Sequence, residues 1–134
     1  MSTPKKKPAP TRQHDKEEKQ SYGAATRSKK PERFDLIPPA ALRAYAARMA
    51  LGVEKHGEGN WMQVPPEQVG DWVKDCVNHL MGHICDLKDA HPQEDISANL
   101  GAILWNAGCI AHYLECNEQE VMTAFMDLRE GKVG

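Results

Sequence analysis

The sequence predicts an all-α fold, a bundle of about four helices with a disordered basic tail at its N-terminus. The 134 residues suffice for one small domain and exclude folds that need several cores. In four segments the apolar residues recur at spacings of three and four, which is the period of a helix with one buried stripe. No segment alternates polar and apolar residues with the period of two that is typical of strands.

Residues 1–31 are predicted to form the disordered tail, and residues 32–134 the folded domain. The tail is rich in Pro, Lys, Gln, Ser and Thr and has almost no aliphatic residues, so it cannot bury enough apolar surface to offset its ordering entropy. Residues 1–30 carry a net charge of +6 and the remainder −8. The tail is either a solubilising leader or a weak electrostatic anchor for nucleic acid or a partner. The acidic remainder is poorly suited to binding nucleic acid phosphates.

The first two helices each follow a pair of prolines, a residue that is favoured in the first helical turn. The first helix is predicted from Pro38–Pro39 to near Glu54, and two glycines within residues 57–59 then mark a loop. The second helix follows Pro65–Pro66 and runs to about Asp89.

The third helix, predicted over residues 95–114 after an interruption at Pro92, has the densest apolar stripe in the chain. The residues of this stripe are Ile96, Leu100, Ile103, Ala107, Ile110 and Leu114. A fourth helix is predicted over Glu118–Arg129, with Asn117 as its cap. The short connections are typical of helical bundles.

Composition predicts a cytoplasmic protein without a membrane segment. No run of about 18 apolar residues occurs, and the basic start lacks the apolar stretch of a secretory signal. Four cysteines lie in predicted helices without a disulfide-like spacing, and we expect them to be reduced thiols. These cysteines are Cys76, Cys85, Cys109 and Cys116.

A group of acidic residues surrounds the turn between the second and third helices. Its members are Asp86, Asp89, Glu94 and Asp95, and His79 and His83 precede them on the same helix face as Asp86. Clustered carboxylates repel one another unless a cation bridges them, and oxygen ligands are those that Mg²⁺ and Mn²⁺ prefer. The alternative is a solvated corner in which Glu94 and Asp95 complement the helix dipole. Zinc binding through Cys76, His79 and His83 is disfavoured, because no second Cys or His pair has zinc-site spacing.

The loop of residues 52–61 combines Lys55, Asn60 and Trp61 with flexible glycines. A lysine can bind phosphate, an amide can bond a base or sugar, and an indole can stack on a base. The alternative is an ordinary glycine-rich turn whose Trp61 packs into the core. The same two interpretations apply to Trp105 and Asn106 on the third helix.

Two of these strings, RFDLIPPAAL at residues 33–42 and GVEKHGEGNW at residues 52–61, resemble the phage dATP/dGTP diphosphohydrolase family. That family is similar to the all-α, MazG-type nucleoside triphosphate pyrophosphohydrolases, and the resemblance covers residues 33–114. His56 stands where the family has tyrosine. The later family motifs match in part. The matching residues are His79, Leu80, Glu94, Leu100 and Asn106. Asp86 and Asp89 form the acid pair, with Asp86 in place of the family's glutamate, and Asn78, Asn99 and Ala102 depart from the pattern.

The resemblance implies Mg²⁺-dependent hydrolysis of dATP or dGTP to the monophosphate and pyrophosphate, in control of the phage nucleotide pool, with Mn²⁺ as a substitute ion. The implied catalytic residues are Asp86, Asp89 and His79. The implied metal ligands are Asp86, Asp89, Glu94 and Asp95. The implied nucleotide-binding residues are Arg33, Lys55, Asn60, Trp61 and Asn106.

The implied location is the host cytoplasm if the chain is phage-encoded. Short helices bury little surface and a substrate must lie between them, so a homo-oligomer with sites near subunit contacts is expected. Two other functions stay open: a non-catalytic nucleotide-binding module, and a structural or DNA-associated phage protein that acts through the basic tail.

Overall fold

The computed structural model describes residues 18–89 and 95–132, which fall into two compact units, Met1–Ile37 and Pro38–Gly134. The first unit contains strands β1, Glu18–Tyr22, and β2, Ala25–Lys29, paired antiparallel with Tyr22 opposite Ala25. Gly23 begins the two-residue turn with φ 61°, a left-handed conformation that glycine adopts without steric cost. A 3-10 turn, Phe34–Leu36, follows.

The prediction of disorder was wrong for residues 18–29. Strand β2 is exposed along its whole length, so neither of its faces needs apolar residues. The sequence therefore lacks the alternation of polar and apolar residues that would predict a strand. The disorder predicted for residues 1–17 lies outside the described residues, and the domain boundary after residue 31 stays a prediction.

The second unit confirms the predicted all-α bundle. Its helices are α1, Pro39–His56; α2, Val69–Asp89; α3, Ile96–Cys116; and α4, Glu118–Arg129. Helix α2 begins three residues later than Pro66, because the second proline pair starts a separate 3-10 turn, Pro66–Gln68. Asn117 precedes α4 as predicted, but its side chain makes no capping hydrogen bond. The predicted break at Pro92 lies outside the described residues.

Helix α3 packs against each of the other three helices, whereas α1 and α2 make few contacts with each other. The main apolar core joins α2, α3 and α4. Its fully buried members are Val69, Val73, Tyr113, Val121 and Ala124. No helix among residues 18–89 and 95–132 is long and apolar enough to cross a membrane.

The apolar stripe predicted to be the buried face of α3 is largely on the outside. Ile96, Leu100 and Leu114 are 64%, 45% and 44% exposed. The buried face instead carries smaller or polar residues, namely Gly101, Ala102, Asn106 and Cys109, together with Tyr113. Small side chains occupy most of this face because three helices pack closely against α3.

The four cysteines are free, as predicted. Cys76 of α2 and Cys109 of α3 are buried, whereas Cys85 and Cys116 are exposed. A hydrogen bond between the two buried thiols lowers the pKa of Cys76 and, together with burial, raises the pKa of Cys109 above its ordinary value. The pair is therefore a buried polar contact between α2 and α3.

Substitution of Gly101 tests the close approach of α1 to α3. A Cβ atom at this position would lie 2.5 Å from the carbonyl oxygen of Ala44 in α1. We expect Gly101→Ala to lower the free energy of unfolding by about 1–3 kcal/mol through overpacking, measured by urea denaturation. The matched control is Gly82→Ala in α2, where the added Cβ meets no atom within 4 Å. The control should be more stable than the wild type by about 0.5–1 kcal/mol, and equal effects at both sites would contradict the proposed contact.

Candidate functional site

A cleft of about 550 Å³ lies between the second half of α1 and the first half of α2. Its floor is α3, which contributes Trp105 and Asn106, and its rim is the loop that follows α1. The cleft exists because α1 and α2 rest on the same helix but diverge from each other. Its volume falls in the range of about 300–1,000 Å³ that is common for small-molecule sites.

Two glycines and one tyrosine shape the loop at the rim. Gly57 and Gly59 have φ values of 88° and 71°, so the chain reverses there at positions where other residues would be strained. The hydroxyl of Tyr113 in α3 donates a hydrogen bond to the Trp61 carbonyl at 2.7 Å and accepts one from the Val64 amide at 3.2 Å. These two hydrogen bonds therefore attach the loop to helix α3.

Five of the residues for which the family resemblance implied a catalytic or nucleotide-binding role line this cleft. They are Lys55, Asn60, Trp61, His79 and Asn106. They come from α1, the loop, α2 and α3, so only the tertiary fold brings them together. Trp61 packs against the apolar core, which is one of the two interpretations left open by the sequence, and it also lines the cleft; its stacking on a base stays a prediction. Its ring contacts the edge of His112, with ring centroids 4.9 Å apart.

Asn106 presents an unpartnered acceptor in the wall of the cleft. The side chain is buried, with 2% exposed, and its Nδ2 donates to the carbonyl oxygen of Ala102 at 2.8 Å. This bond fixes the amide orientation, and Oδ1 has no partner among the described residues. The buried Nε1 of Trp72, another residue of the cleft wall, also lacks one. Each such atom costs about 1–3 kcal/mol until a partner satisfies it.

Two charged residues of the cleft were missed by the sequence reasoning. Arg48 lies seven residues before Lys55 on α1, and Asp75 lies four residues before His79 on α2. These spacings place each missed residue on the same helix face as a predicted one, which is the signal that could have found it. Asp75 Oδ2 lies 3.9 Å from His79 Nδ1, and both side chains are largely exposed.

The predicted acidic metal site does not form part of this cleft. Asp86 is half-buried and Asp89 is exposed at the end of α2, and neither lines the cleft. Asp95 caps α3, its Oδ1 accepting a hydrogen bond from the Ser97 amide at 2.9 Å, which is the helix-start role that the sequence left open. Glu94 lies outside the described residues.

No three His, Cys, Asp or Glu side chains within residues 18–89 and 95–132 converge in a way that could hold a metal ion. The described members of the predicted set therefore do not fit a resident cation by themselves. His83, which shares their helix face, is in hydrogen-bonding contact with Asn99, Nδ1 to Oδ1 3.2 Å. The disfavoured zinc group of Cys76, His79 and His83 does not assemble either.

Arg33 belongs to the first unit, and its guanidinium is already engaged. Its Nε and Nη2 each donate to a carboxylate oxygen of Asp35 at 2.9 Å. These hydrogen bonds lower the pKa of Asp35 below its ordinary value. A phosphate would have to compete with this exposed ion pair.

The fold and the cleft define a small helical-bundle protein with a cleft between helices α1 and α2 that is lined by apolar and polar side chains. The chain belongs to the dATP/dGTP diphosphohydrolase family, because residues 20–123 match the family described as dATP/dGTP diphosphohydrolase, N-terminal. The resemblance seen in the sequence is thereby confirmed, and the family name denotes a hydrolase. A comparison with curated proteins gave no match, and neither did a comparison with solved structures.

Removal of the Tyr113 hydroxyl tests how the loop is held. Tyr113→Phe keeps the buried ring but leaves the Trp61 carbonyl and the Val64 amide without their partner. We expect a loss of about 1–3 kcal/mol in the free energy of unfolding, followed by tryptophan fluorescence in urea. The control Tyr22→Phe alters an exposed tyrosine of β1 and should stay within about 0.5 kcal/mol of the wild type. If Tyr113→Phe is as stable as this control, the hydroxyl does not fasten the loop.

Proposed function

We propose that the protein hydrolyses purine deoxynucleoside triphosphates, dATP or dGTP, to the monophosphate and pyrophosphate, with the substrate bound in the α1–α2 cleft. The single observation that carries this proposal is the convergence on that cleft of five residues that the sequence had assigned to nucleotide binding or proton transfer. Membership of a family named for this hydrolysis supports the same reaction.

The cleft offers each part of a nucleotide a chemically suitable neighbour. Trp61 and Trp105 supply flat apolar surfaces for a base, and the amides of Asn60 and Asn106 supply hydrogen bonds for base or sugar. The free Oδ1 of Asn106 requires a donor, such as an exocyclic amino group of a purine. Lys55 supplies a positive charge for phosphate.

The proposed reaction begins with the attack of a water oxygen on the α-phosphorus. The bond from that phosphorus to the α–β bridging oxygen breaks, and pyrophosphate leaves. His79 accepts the proton of the attacking water, which is a common role for an imidazole near neutral pH. The Asp75 carboxylate, 3.9 Å from His79 Nδ1, stabilises the imidazolium that forms.

The requirement for Mg²⁺, or for Mn²⁺ in its place, stays a prediction from the family resemblance. A bound divalent ion supplies charge neutralisation on phosphate oxygens. Asp86, Asp89 and Asp95 do not form such a site alone, so the prediction depends on Glu94.

We also propose that the protein is a homo-oligomer that acts in control of the phage nucleotide pool. The large apolar residues of α3 that face outward, such as Leu100 and Leu114, suit burial against a second copy. The phage setting rests on the resemblance of residues 33–42 and 52–61 alone. The basic first unit is the part through which nucleic acid contact is proposed.

A nucleotide-binding protein without turnover is the second candidate. It is favoured by the positions of Asp86, Asp89 and Asp95, which do not converge with one another or with the cleft. Binding of dGTP or dATP without pyrophosphate release would support this candidate.

Release of pyrophosphate from dATP and dGTP tests the proposed reaction. Lys55→Ala removes the phosphate-facing charge and should lower kcat/KM roughly tenfold to a hundredfold, whereas His79→Gln should lower kcat. Lys88→Ala is the matched control, because Lys88 is an exposed lysine of α2 outside the cleft, and its kcat/KM should equal that of the wild type. A folded wild-type protein that releases no pyrophosphate from any nucleotide, with or without added Mg²⁺, rejects the hydrolase.

Chelation separates the metal prediction from the cleft assignment. We expect EDTA to abolish turnover and Mg²⁺ to restore it, and Asp86→Ala to shift the Mg²⁺ concentration for half-maximal rate at least tenfold upward, because a ligand is lost. Asp71→Ala, at an exposed carboxylate near the other end of α2, should leave that concentration unchanged. Unaltered turnover in EDTA would show that the acidic group serves no cation.

A further inference from the structure

We propose that Arg48, Gly52 and Lys55 form a phosphate-binding face on α1, which binds the phosphate chain of the substrate. The identity of the substrate rests on the proposed function, whereas the anion site itself does not. The sequence analysis assigned only Lys55 to phosphate. The structure adds a second cation and an open space between the two.

The three residues lie on one side of α1. They occupy positions i, i+4 and i+7, which share a helix face, and all three line the cleft. Seven residues of α-helix span about 10 Å, so the two cations bracket the space over Gly52 from its two ends. A linear chain of phosphates has the shape that such a pair of separated cations recognises.

Neither cation is neutralised by a residue of the ranges 18–89 and 95–132. Arg48 and Lys55 have no hydrogen bond or ion pair with any residue of the described ranges, although the carboxylates of Glu58 and Asp75 border the same cleft. Arg48 is half-buried and packs where α1 crosses α3 near Gly101. A guanidinium carries a positive charge and five N–H donors, so an anion is the partner that suits its chemistry.

Gly52 leaves a notch between the two cations. A Cβ atom built on Gly52 meets no atom within 4 Å, so neither helix packing nor an unusual backbone conformation calls for glycine at this helical position. Glycine in a helix interior is destabilising relative to alanine. A ligand that approaches the α1 backbone between Arg48 and Lys55 accounts for its presence.

The proposed face predicts that the cleft binds a polyphosphate more tightly than a monophosphate. One phosphate can contact one end of the face, whereas a chain of phosphates contacts both cations at once. Inorganic pyrophosphate, which contains no base or sugar, should therefore bind to the protein in competition with substrate, and inorganic phosphate should bind much more weakly.

Calorimetry on the full chain with inorganic pyrophosphate as the probe tests this proposal without any turnover. We expect Arg48→Gln to weaken pyrophosphate binding roughly tenfold to a hundredfold, as loss of a charge-assisted contact does, and Arg48→Lys to retain part of the affinity. The matched control Arg43→Gln changes an exposed arginine of α1 outside the cleft and should leave the affinity unchanged. Equal weakening by Arg48→Gln and Arg43→Gln would show only a general charge effect and overturn the site.

Gly52→Leu provides the second variant, because it adds bulk to the notch at a position where a Cβ atom meets no protein atom within 4 Å. We expect its melting temperature to equal or exceed that of the wild type, while pyrophosphate binding is lost. The control Gly82→Leu adds the same side chain to an open position on α2 and should bind pyrophosphate normally. If a folded Gly52→Leu protein binds pyrophosphate with wild-type affinity, the proposed role of Gly52 is wrong. If the wild-type protein binds no pyrophosphate, the proposed phosphate-binding face is wrong.

The two proposals fail in distinguishable ways. If pyrophosphate binding depends on Arg48 and Gly52 but no nucleotide is hydrolysed, the phosphate-binding face is supported and the proposed hydrolase activity is rejected. The opposite outcome is that dGTP or dATP is hydrolysed while Arg48→Gln and Gly52→Leu both retain the wild-type KM and pyrophosphate affinity. The hydrolase activity is then supported and the phosphate-binding face is rejected.

Discussion

The close packing of α1 and α2 on one shared helix, α3, is the constraint on which the rest of the folded unit depends. At Gly101 the backbone of α1 approaches so closely that a single added carbon would collide with the Ala44 carbonyl. Because both helices rest on α3 but hardly touch each other, a cleft opens between them. The site is therefore a consequence of how three helices share one surface, and the loop fastened by Tyr113 closes one end of it.

Several polar groups of the cleft-lining residues have no partner within the part of the chain that the structure describes. A buried amide oxygen on Asn106, a buried indole N–H on Trp72 and two cations on α1 lack partners among the described residues. Folding alone does not favour such an arrangement, because each desolvated polar atom costs free energy unless it is satisfied. The negative charge of the proposed substrate would neutralise the two cations. Membership of a family named for hydrolysis of dATP and dGTP is consistent with that chemistry.

The outward apolar stripe of α3 has a related cause. The buried side of that helix must admit neighbours at short distance, so it uses Gly101, Ala102 and Cys109, and the large residues Leu100 and Leu114 are left on the surface. Spacing of apolar residues in a sequence cannot separate these two faces, because both are free of charge and both recur with the helical period. For this reason the wrong face of α3 was predicted to be buried, although the helix itself was predicted correctly.

The sequence by itself determined the four helices, the loop at residues 57–59 and the residue types that suit a nucleotide, because helical periodicity, proline and glycine act over a few neighbouring positions. It missed the β1–β2 hairpin, whose exposed strands need no apolar pattern. Only the tertiary structure decided which candidates share a site. It joined Lys55, Asn106 and His79 in one cleft, added Arg48 and Asp75, and left Asp86 and Asp89 outside. Convergence depends on the angles and distances between helices, which are set by packing across the whole chain rather than by local spacing.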